Sequence, residues 1–317
     1  MILETLLFTA GVTLPVCVML VAGLILKKTG FIDDHFITVS SRLVFNFGLP
    51  AVIFFSLSNL GRDTDIDYRL ILFALLSILF SFMASWLLSL KTVSSWRDRG
   101  VFIQGASRGN LAIIGLALVD NMYGDAGLAM MSVLIAFTVP LLNVLSVTVL
   151  SYYSKDSGSH FSLWQLLVDI VRNPLIIAVF CGAAFGFSGF ELPGVVDSVG
   201  RYFAQITLPL ALLGIGGTLS LDALMKTSRA SFWAALNKTV VLPLLFIPVA
   251  WLMGFGEMEL GVLFLMVSCP TAAASFVMTQ SFGLNAKLAA NIIVLTTLGA
   301  MPAVSLGLFV MRVTGVV

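Results

Sequence analysis

A polar centre interrupts the apolar stretch Gly100-Val-Phe-Ile-Gln-Gly-Ala-Ser-Arg-Gly-Asn-Leu-Ala-Ile-Ile-Gly-Leu-Ala-Leu-Val-Asp-Asn-Met-Tyr-Gly124. The stretch can cross a bilayer, which takes about 20 mostly apolar residues. A charge at mid-membrane costs roughly 2.5–3.5 kcal/mol or more, so Arg108 is expected to face a cavity or a partner. Because Gly109 weakens the helix at the same point, the pattern predicts a broken transmembrane helix with a binding site at its break. The alternative is a kinked helix in which Arg108 snorkels or pairs with Asp120 or a helix-end carbonyl.

A second apolar stretch, residues 259–283, has the same character. Its centre reads Ser268-Cys-Pro-Thr271. Pro270 removes a backbone donor and clashes with the carbonyl one turn earlier, so this helix is also expected to break near its middle. The two interrupted stretches together predict the functional centre of the chain.

The composition is that of an integral membrane protein. Of the 317 residues, 59% are hydrophobic and only 10% are charged, which excludes an ordinary soluble domain. The net charge of +1 gives no indication of a nucleic-acid partner. The three cysteines lie in apolar runs, so they predict neither disulfides nor a metal site, and no cofactor is expected.

Apolar runs separated by short loops predict an all-α polytopic membrane protein with ten transmembrane helices. Lysine and arginine are concentrated in the inner loops if the N-terminus is placed outside, so both termini are expected on the outer side. The predicted spans are 5–26, 37–58, 69–90, 100–122, 127–151, 167–188, 198–220, 232–254, 258–282 and 288–312.

The two halves of the chain repeat. A shift of about 159 positions, the offset from Pro15 to Pro174, aligns a series of glycines and prolines, where backbone geometry restricts the choice of residue. The predicted repeats are 1–155 and 156–317, with five helices each. Because five is odd, the second repeat must insert upside down, and the broken helices 4 and 9 are then expected to cross at mid-membrane.

Such a crossing would suit an anion. Half-helix N-termini carry partial positive charge, and the planar guanidinium of Arg108 matches a carboxylate. Neutral polar groups near the breaks could contact substrate or satisfy broken backbone, and Asn46 and Asn143 could equally form interhelical bonds. Lys238 is expected to snorkel to the cytoplasmic surface, with ion coupling as the alternative. The predicted substrate-binding residues are Ser107, Arg108, Asn110, Pro270, Thr271, Ser275, Asn46 and Asn143.

Five motifs in order resemble the auxin efflux carrier family over nearly the whole chain. They are Asn46-Phe-Gly-Leu-Pro50, Ser107-Arg-Gly-Asn-Leu-Ala-Ile-Ile-Gly115, Leu208-Pro-Leu-Ala-Leu-Leu-Gly-Ile-Gly-Gly-Thr-Leu219, Pro270-Thr-Ala-Ala-Ala-Ser275 and Leu295-Thr-Thr-Leu-Gly-Ala-Met-Pro302. The chain lacks the long central loop of the plant members, so it resembles a compact bacterial carrier of the inner membrane.

The resemblance implies a ten-helix fold shared with bile-acid and sodium/proton carriers. In that fold helices 1, 2, 6 and 7 form a scaffold domain, and helices 3–5 and 8–10 form a transport domain with the crossed helices 4 and 9. It also implies elevator-like transport of a small organic anion, either auxin-like or a mono- or dicarboxylate, and a possible homodimer through the scaffold.

Motifs of ATP-driven transporters and of intramembrane enzymes are missing from the sequence. No Walker loop is present, so membrane potential or an ion gradient is expected to drive transport, and efflux would exploit the inside-negative potential. A passive channel or receptor of the same fold stays open as an alternative. An intramembrane enzyme is not expected, because no zinc, paired-aspartate or serine–histidine pattern lies in the apolar spans.

Overall fold

A computed structural model describes residues 2–58, 67–154, 172, 174–188, 190, 192–219 and 228–317. Within these ranges the regular secondary structure is helical, apart from one isolated backbone bridge. The helices are α1 (Ile2–Lys28), α2 (Asp34–Ser58), α3 (Tyr68–Thr92), α4 (Trp96–Ser107), α5 (Leu111–Tyr153), α6 (Pro174–Ser188), α7 (Gly194–Thr218), α8 (Arg229–Leu252), α9 (Glu257–Ser268), α10 (Ala274–Ser281) and α11 (Ala286–Val313).

Seven helices in the described ranges are long and apolar enough to span a membrane, namely α1, α2, α3, α5, α7, α8 and α11. The helix α6 is apolar but shorter, and part of the span predicted at 167–188 lies outside the described residues. The helices α4, α9 and α10 border the two breaks. The prediction of a helical polytopic membrane protein is confirmed, whereas the ten-span count and the inverted repeats of residues 1–155 and 156–317 stay predictions.

A sharp turn at Gly124 divides α5 into two helical parts. Gly124 has φ 57° and ψ −145°, and the residues on either side are helical from Leu111 to Tyr153. The second part returns to the break, because Leu142, Asn143 and Ser146 all accept hydrogen bonds from the Arg108 side chain. Glycine adopts a positive φ without steric cost, so a single residue makes this turn. The turn lies in the short loop predicted between the spans 100–122 and 127–151.

Three wide helical turns lie near the centre of the fold. The π-helical turns Val44–Gly48 and Asn237–Val241 lie inside α2 and α8, and a third, Leu111–Gly115, begins α5. The first two are followed directly by a Leu-Pro pair ending at Pro50 and Pro243. Proline cannot donate to the carbonyl one turn back and its ring crowds that carbonyl, which favours a local widening of the helix.

Small residues bring α1 and α7 into close contact. A Cβ added at Gly216 would collide with the carbonyl of Leu20, and one added at Gly23 would collide with the carbonyl of Leu213. Such close backbone approach is how helices pack when no water drives them together. The helix α2 packs on α6 and α7. Elsewhere α3 packs on α4, and α8 packs on α11. The helix α5 contacts α1 and α2 as well as α3 and α4.

Candidate functional site

The two helix breaks contact each other through their backbones. The amide of Asn110 donates to the carbonyl oxygen of Pro270 at 2.8 Å, and the amide of Ala272 donates to the carbonyl oxygen of Arg108 at 3.1 Å. These bonds form an isolated antiparallel bridge between the segments. Backbone groups released by one break are thus satisfied by the other, which a membrane interior requires. The depth of this contact in a bilayer stays a prediction.

Hydroxyl groups tie the breaks to the surrounding helices. The hydroxyl of Thr271 donates to the carbonyl oxygen of Gly105 in the last turn of α4, at 2.6 Å. The amide of Thr271 donates to the hydroxyl of Thr296 in α11, at 3.0 Å. The hydroxyl of Ser107 lies 2.8 Å from that of Ser85 in α3, to which it donates. The Ser107 and Thr271 side chains therefore hold the breaks in place.

Arg108 is buried and held by neutral groups of α5. Its side chain donates from Nη2 to Asn143 Oδ1 at 2.7 Å, and from Nη1 to Ser146 Oγ at 3.1 Å and to the Leu142 carbonyl oxygen at 3.3 Å. Its Nε has no hydrogen-bond partner, and no carboxylate of the described residues pairs with it. The alternative pairing with Asp120 is not found, because that carboxylate lines a different cavity. Arg108 thus presents a buried positive charge without a counter-ion in the described part of the chain.

A cavity of about 410 Å³ lies against the breaks. Arg108, Gly109 and Asn110 line it, together with the first turn of α5 and residues 272–274 at the start of α10. Two half-helix N-termini therefore border this space, and their positive dipole ends favour an anion. The rest of the wall is mainly apolar and includes Val44, Leu49, Val139, Leu175, Ile215 and Val277. We call this space the break cavity.

The other predicted site residues lie at different distances from the break cavity. Asn110 is 7% exposed and lines it. Asn143 lies behind Arg108, as its hydrogen-bond acceptor. The hydroxyl of Ser275, in the first turn of α10, is buried without a partner. Asn46 is exposed on the π-helical turn of α2 and does not line the cavity. The structure therefore gathers most predicted residues around the breaks and leaves Asn46 apart.

The expectation that Lys238 snorkels to the cytoplasmic surface is wrong. The residue is only 3% exposed, and its ammonium donates to the carbonyl oxygen of Val267 at 2.9 Å, in the last turn of α9. Its neighbour Asn237 donates to Ser85 Oγ at 2.9 Å. Both side chains come from the π-helical turn of α8, which faces the breaks. Two adjacent polar residues, Asn237 and Lys238, within an apolar run could have indicated in the sequence that this part of α8 lies at the site. The apolar residues of the cavity wall carry no such sequence signal.

A second cavity of about 410 Å³ lies along α7 between Arg201 and Leu212. It is bordered by α1, α2 and α7 on one side and by α5 on the other. Its polar lining includes Asp120, Asp125, Arg201 and Gln205. Arg201 also pairs with Asp197 on the same helix at 2.8 Å. This arginine is a natural control for Arg108, because it lines a cavity of similar size away from the breaks.

A family model described as membrane transport protein matches residues 10–308. The chain is 22% identical to "Uncharacterized transporter YfdV" of Escherichia coli over 96% of its length and 98% of that protein. It is 25% identical to "Uncharacterized transporter MJ1031" of Methanocaldococcus jannaschii, over 93% and 96%. It is also 31% identical over 144 residues to "Putative malonate transporter" of Rhizobium meliloti, covering 45% of each chain. The resemblance is confirmed: this multi-pass membrane protein belongs to the membrane transport protein family, which is the auxin efflux carrier family.

Proposed function

We propose that this protein is a secondary transporter of small organic anions, auxin-like or mono- or dicarboxylates, with its substrate bound in the break cavity. The observation that carries the proposal is the buried guanidinium of Arg108, which lines the cavity without a carboxylate partner in the described ranges. A substrate carboxylate would supply that counter-charge. Hydrogen bonds to charged groups contribute roughly 1.5–3 kcal/mol each, so one arginine contact is worth about 10- to 150-fold in affinity.

The helix ends add to the attraction for an anion. The first turns of α5 and α10 border the break cavity, and each helix end contributes roughly 0.3–1 kcal/mol toward a negative charge. Asn110 offers its side-chain amide at the same wall. The buried hydroxyl of Ser275, at the start of α10, has no hydrogen-bond partner but does not line the cavity. We assign direct substrate contact to Arg108 and Asn110, and a supporting position at the helix end to Ser275.

The remaining predicted residues take supporting roles in the proposed site. Asn143 orients the Arg108 guanidinium by accepting from Nη2. Ser107 and Thr271 hold the breaks to their neighbours through their hydroxyls, and the Pro270 carbonyl accepts the Asn110 amide. Asn46 does not line the cavity, so it would contact the substrate only if the breaks moved along α2 toward it. This division separates residues that affect affinity from residues that affect stability.

We propose an elevator mechanism for the movement. In it, α1, α2, α6 and α7 form the scaffold, while α3–α5 and α8–α11 carry the breaks and form the transport domain. Two observations support this division. The scaffold helices pack as α1 on α7, α7 on α2 and α2 on α6, and the two cavities lie along successive parts of α7, each between scaffold helices and α5. Sliding of the breaks along α7 would exchange access between the two cavities.

The proposed carrier acts in the bacterial inner membrane, with both termini on the periplasmic side, and exports its substrate. An inside-negative potential drives an anion outward by about 2.3 kcal/mol per charge and 100 mV. A homodimer through the scaffold would suit the mechanism. Malonate is a suitable first probe because of the relative that carries this name, and an aromatic acid tests the auxin-like alternative.

Counterflow in proteoliposomes tests the proposed function. Vesicles with purified protein are loaded with unlabelled malonate or indole-3-acetate, and entry of the same labelled acid is measured over time. A carrier gives saturable, transient accumulation of label, which Arg201→Ala retains and Arg108→Ala loses. Flux that rises without saturation and shows no counterflow would instead identify a channel. Absence of flux with every acid tried, under every gradient, would contradict the proposal.

A further inference from the structure

The contact between the breaks has a second polar surface besides the break cavity. The C-terminal ends of α4 and α9 lie there, and the π-helical turn of α8 presents two consecutive side chains to them. Asn237 Nδ2 approaches the carbonyl oxygen of Ala106 in α4 at 3.4 Å. Lys238 Nζ donates to the carbonyl oxygen of Val267 in α9 at 2.9 Å. One half-helix end thus receives an amide, and the other receives an ammonium.

Half-helix C-terminal ends attract cations. They carry partial negative charge and carbonyl groups without helical partners. In transporters with broken helices, such carbonyls and helix ends coordinate the coupling sodium ion. Lys238 places its charge at this position. Its Nζ lies so close to Gly109 that a Cβ added there would be 3.3 Å from it. The ammonium therefore lies directly beside the break of the fourth helix.

The surroundings of Lys238 contain no counter-ion. No acidic side chain of the described residues pairs with it, and the charged or titratable groups nearest the break are Arg108 and Cys269. The ammonium also borders a cavity of about 20 Å³ lined by Ser81 and Ser107, which is large enough for one water molecule. A helix-end carbonyl, that of Val267, rather than a carboxylate holds this buried charge in the described residues.

We propose that the Lys238 ammonium is a resident cation, which occupies the position of a coupling sodium ion at the helix ends and makes a metal cation unnecessary there. The occupancy follows from the contacts of Lys238 alone. Its consequence rests on the proposed function: binding and transport of the anion at Arg108 should be independent of sodium. The two positive charges then have separate partners: the substrate for Arg108 and a helix-end carbonyl for Lys238.

Chemical rescue tests the occupancy without any anion substrate. Lys238→Ala leaves a space with the length of n-propylammonium, and the unfolding temperature of the purified variant is measured in added n-propylammonium, sodium or tetramethylammonium chloride. We expect n-propylammonium or sodium to raise it by about 3 °C or more, the equivalent of roughly one kcal/mol. Tetramethylammonium should have no such effect, because it lacks an N–H donor and its four methyl groups keep carbonyl oxygens away from its charge. Wild type, the exposed control Lys287→Ala and the space-filling Lys238→Met should not respond to these cations.

Two results would overturn the proposal. One is a cation response of Lys238→Ala no larger than that of Lys287→Ala. The other uses wild type alone, so it applies even if Lys238→Ala does not fold. It is faster counterflow of malonate or indole-3-acetate in sodium chloride than in the same concentration of choline chloride. A failed rescue leaves the anion site at Arg108 untouched. If the cations raise the unfolding temperature of Lys238→Ala but no acid is transported, the proposed function is contradicted and the proposal of a resident cation is supported.

Discussion

Replacing Thr271 with valine removes one hydroxyl and nearly preserves the shape of the side chain. That hydroxyl donates to the Gly105 carbonyl oxygen at 2.6 Å, and Thr271 is 2% exposed. Gly105 lies in the last turn of α4, so its carbonyl lacks the helical donor that it would have one turn earlier in the helix. The substitution therefore leaves a buried carbonyl without its partner at the contact between the breaks.

The expected loss follows from this unpaired carbonyl. A buried acceptor deprived of its donor costs about 1–3 kcal/mol. At roughly 2–4 °C per kcal/mol for chains somewhat smaller than this one, the unfolding temperature should fall by about 2–12 °C. Thr138→Val is the matched control, because the Thr138 hydroxyl donates to the carbonyl of Leu134 within the regular part of α5, where a helical amide remains as donor. The control should change the unfolding temperature by less than about 2 °C.

Thermal unfolding of the detergent-purified variants, with and without an anion that binds, provides the assay. Thr271 does not line the break cavity, so the affinity of Thr271→Val for the anion should stay within about threefold of wild type, a difference below roughly 0.7 kcal/mol. Equal unfolding temperatures for Thr271→Val and Thr138→Val would refute the structural role. A large loss of affinity at unchanged stability would make Thr271 a substrate contact.

Three further predictions concern the site, the scaffold and the topology. Asn143→Ala should weaken anion binding about 3- to 10-fold in calorimetric titration, because the Arg108 fork loses an oriented acceptor worth about one hydrogen bond; unchanged affinity would remove Asn143 from the site. Gly216→Val should abolish the monodisperse protein peak in gel filtration, whereas Gly299→Val, with open space around its Cβ, should keep it; equal behaviour would contradict the α1–α7 contact. Alkaline phosphatase fused to the C-terminus should be active, and an inactive fusion would reverse the proposed orientation.

The helix breaks could be read from the sequence because their residues conflict with the apolar runs around them. Arg108, Asn110 and Pro270 are each costly in the middle of an apolar helix, and only a common polar environment explains them together. The backbone bonds between the two breaks agree with that reasoning. Hydropathy alone also indicated the helical membrane class.

Features that depend on side-chain direction could not be read in the same way. Lys238 looked like a snorkelling lysine because its burial depends on a π-helical turn, which changes the facing of a side chain without a distinct composition. The apolar wall of the break cavity uses the same residue types as the lipid-facing surface.

The most direct measurement is a thermal-shift titration of purified wild type, Arg108→Ala and Arg201→Ala with a panel of monocarboxylates, dicarboxylates and indole acids. A ligand at 100 times its dissociation constant stabilises the native state by about 2.7 kcal/mol, which is a readily measured shift. At least one acid should raise the unfolding temperature of wild type and Arg201→Ala and leave Arg108→Ala unchanged. A shift that survives in Arg108→Ala, or the absence of a shift with every acid, would contradict an anion site at the helix breaks.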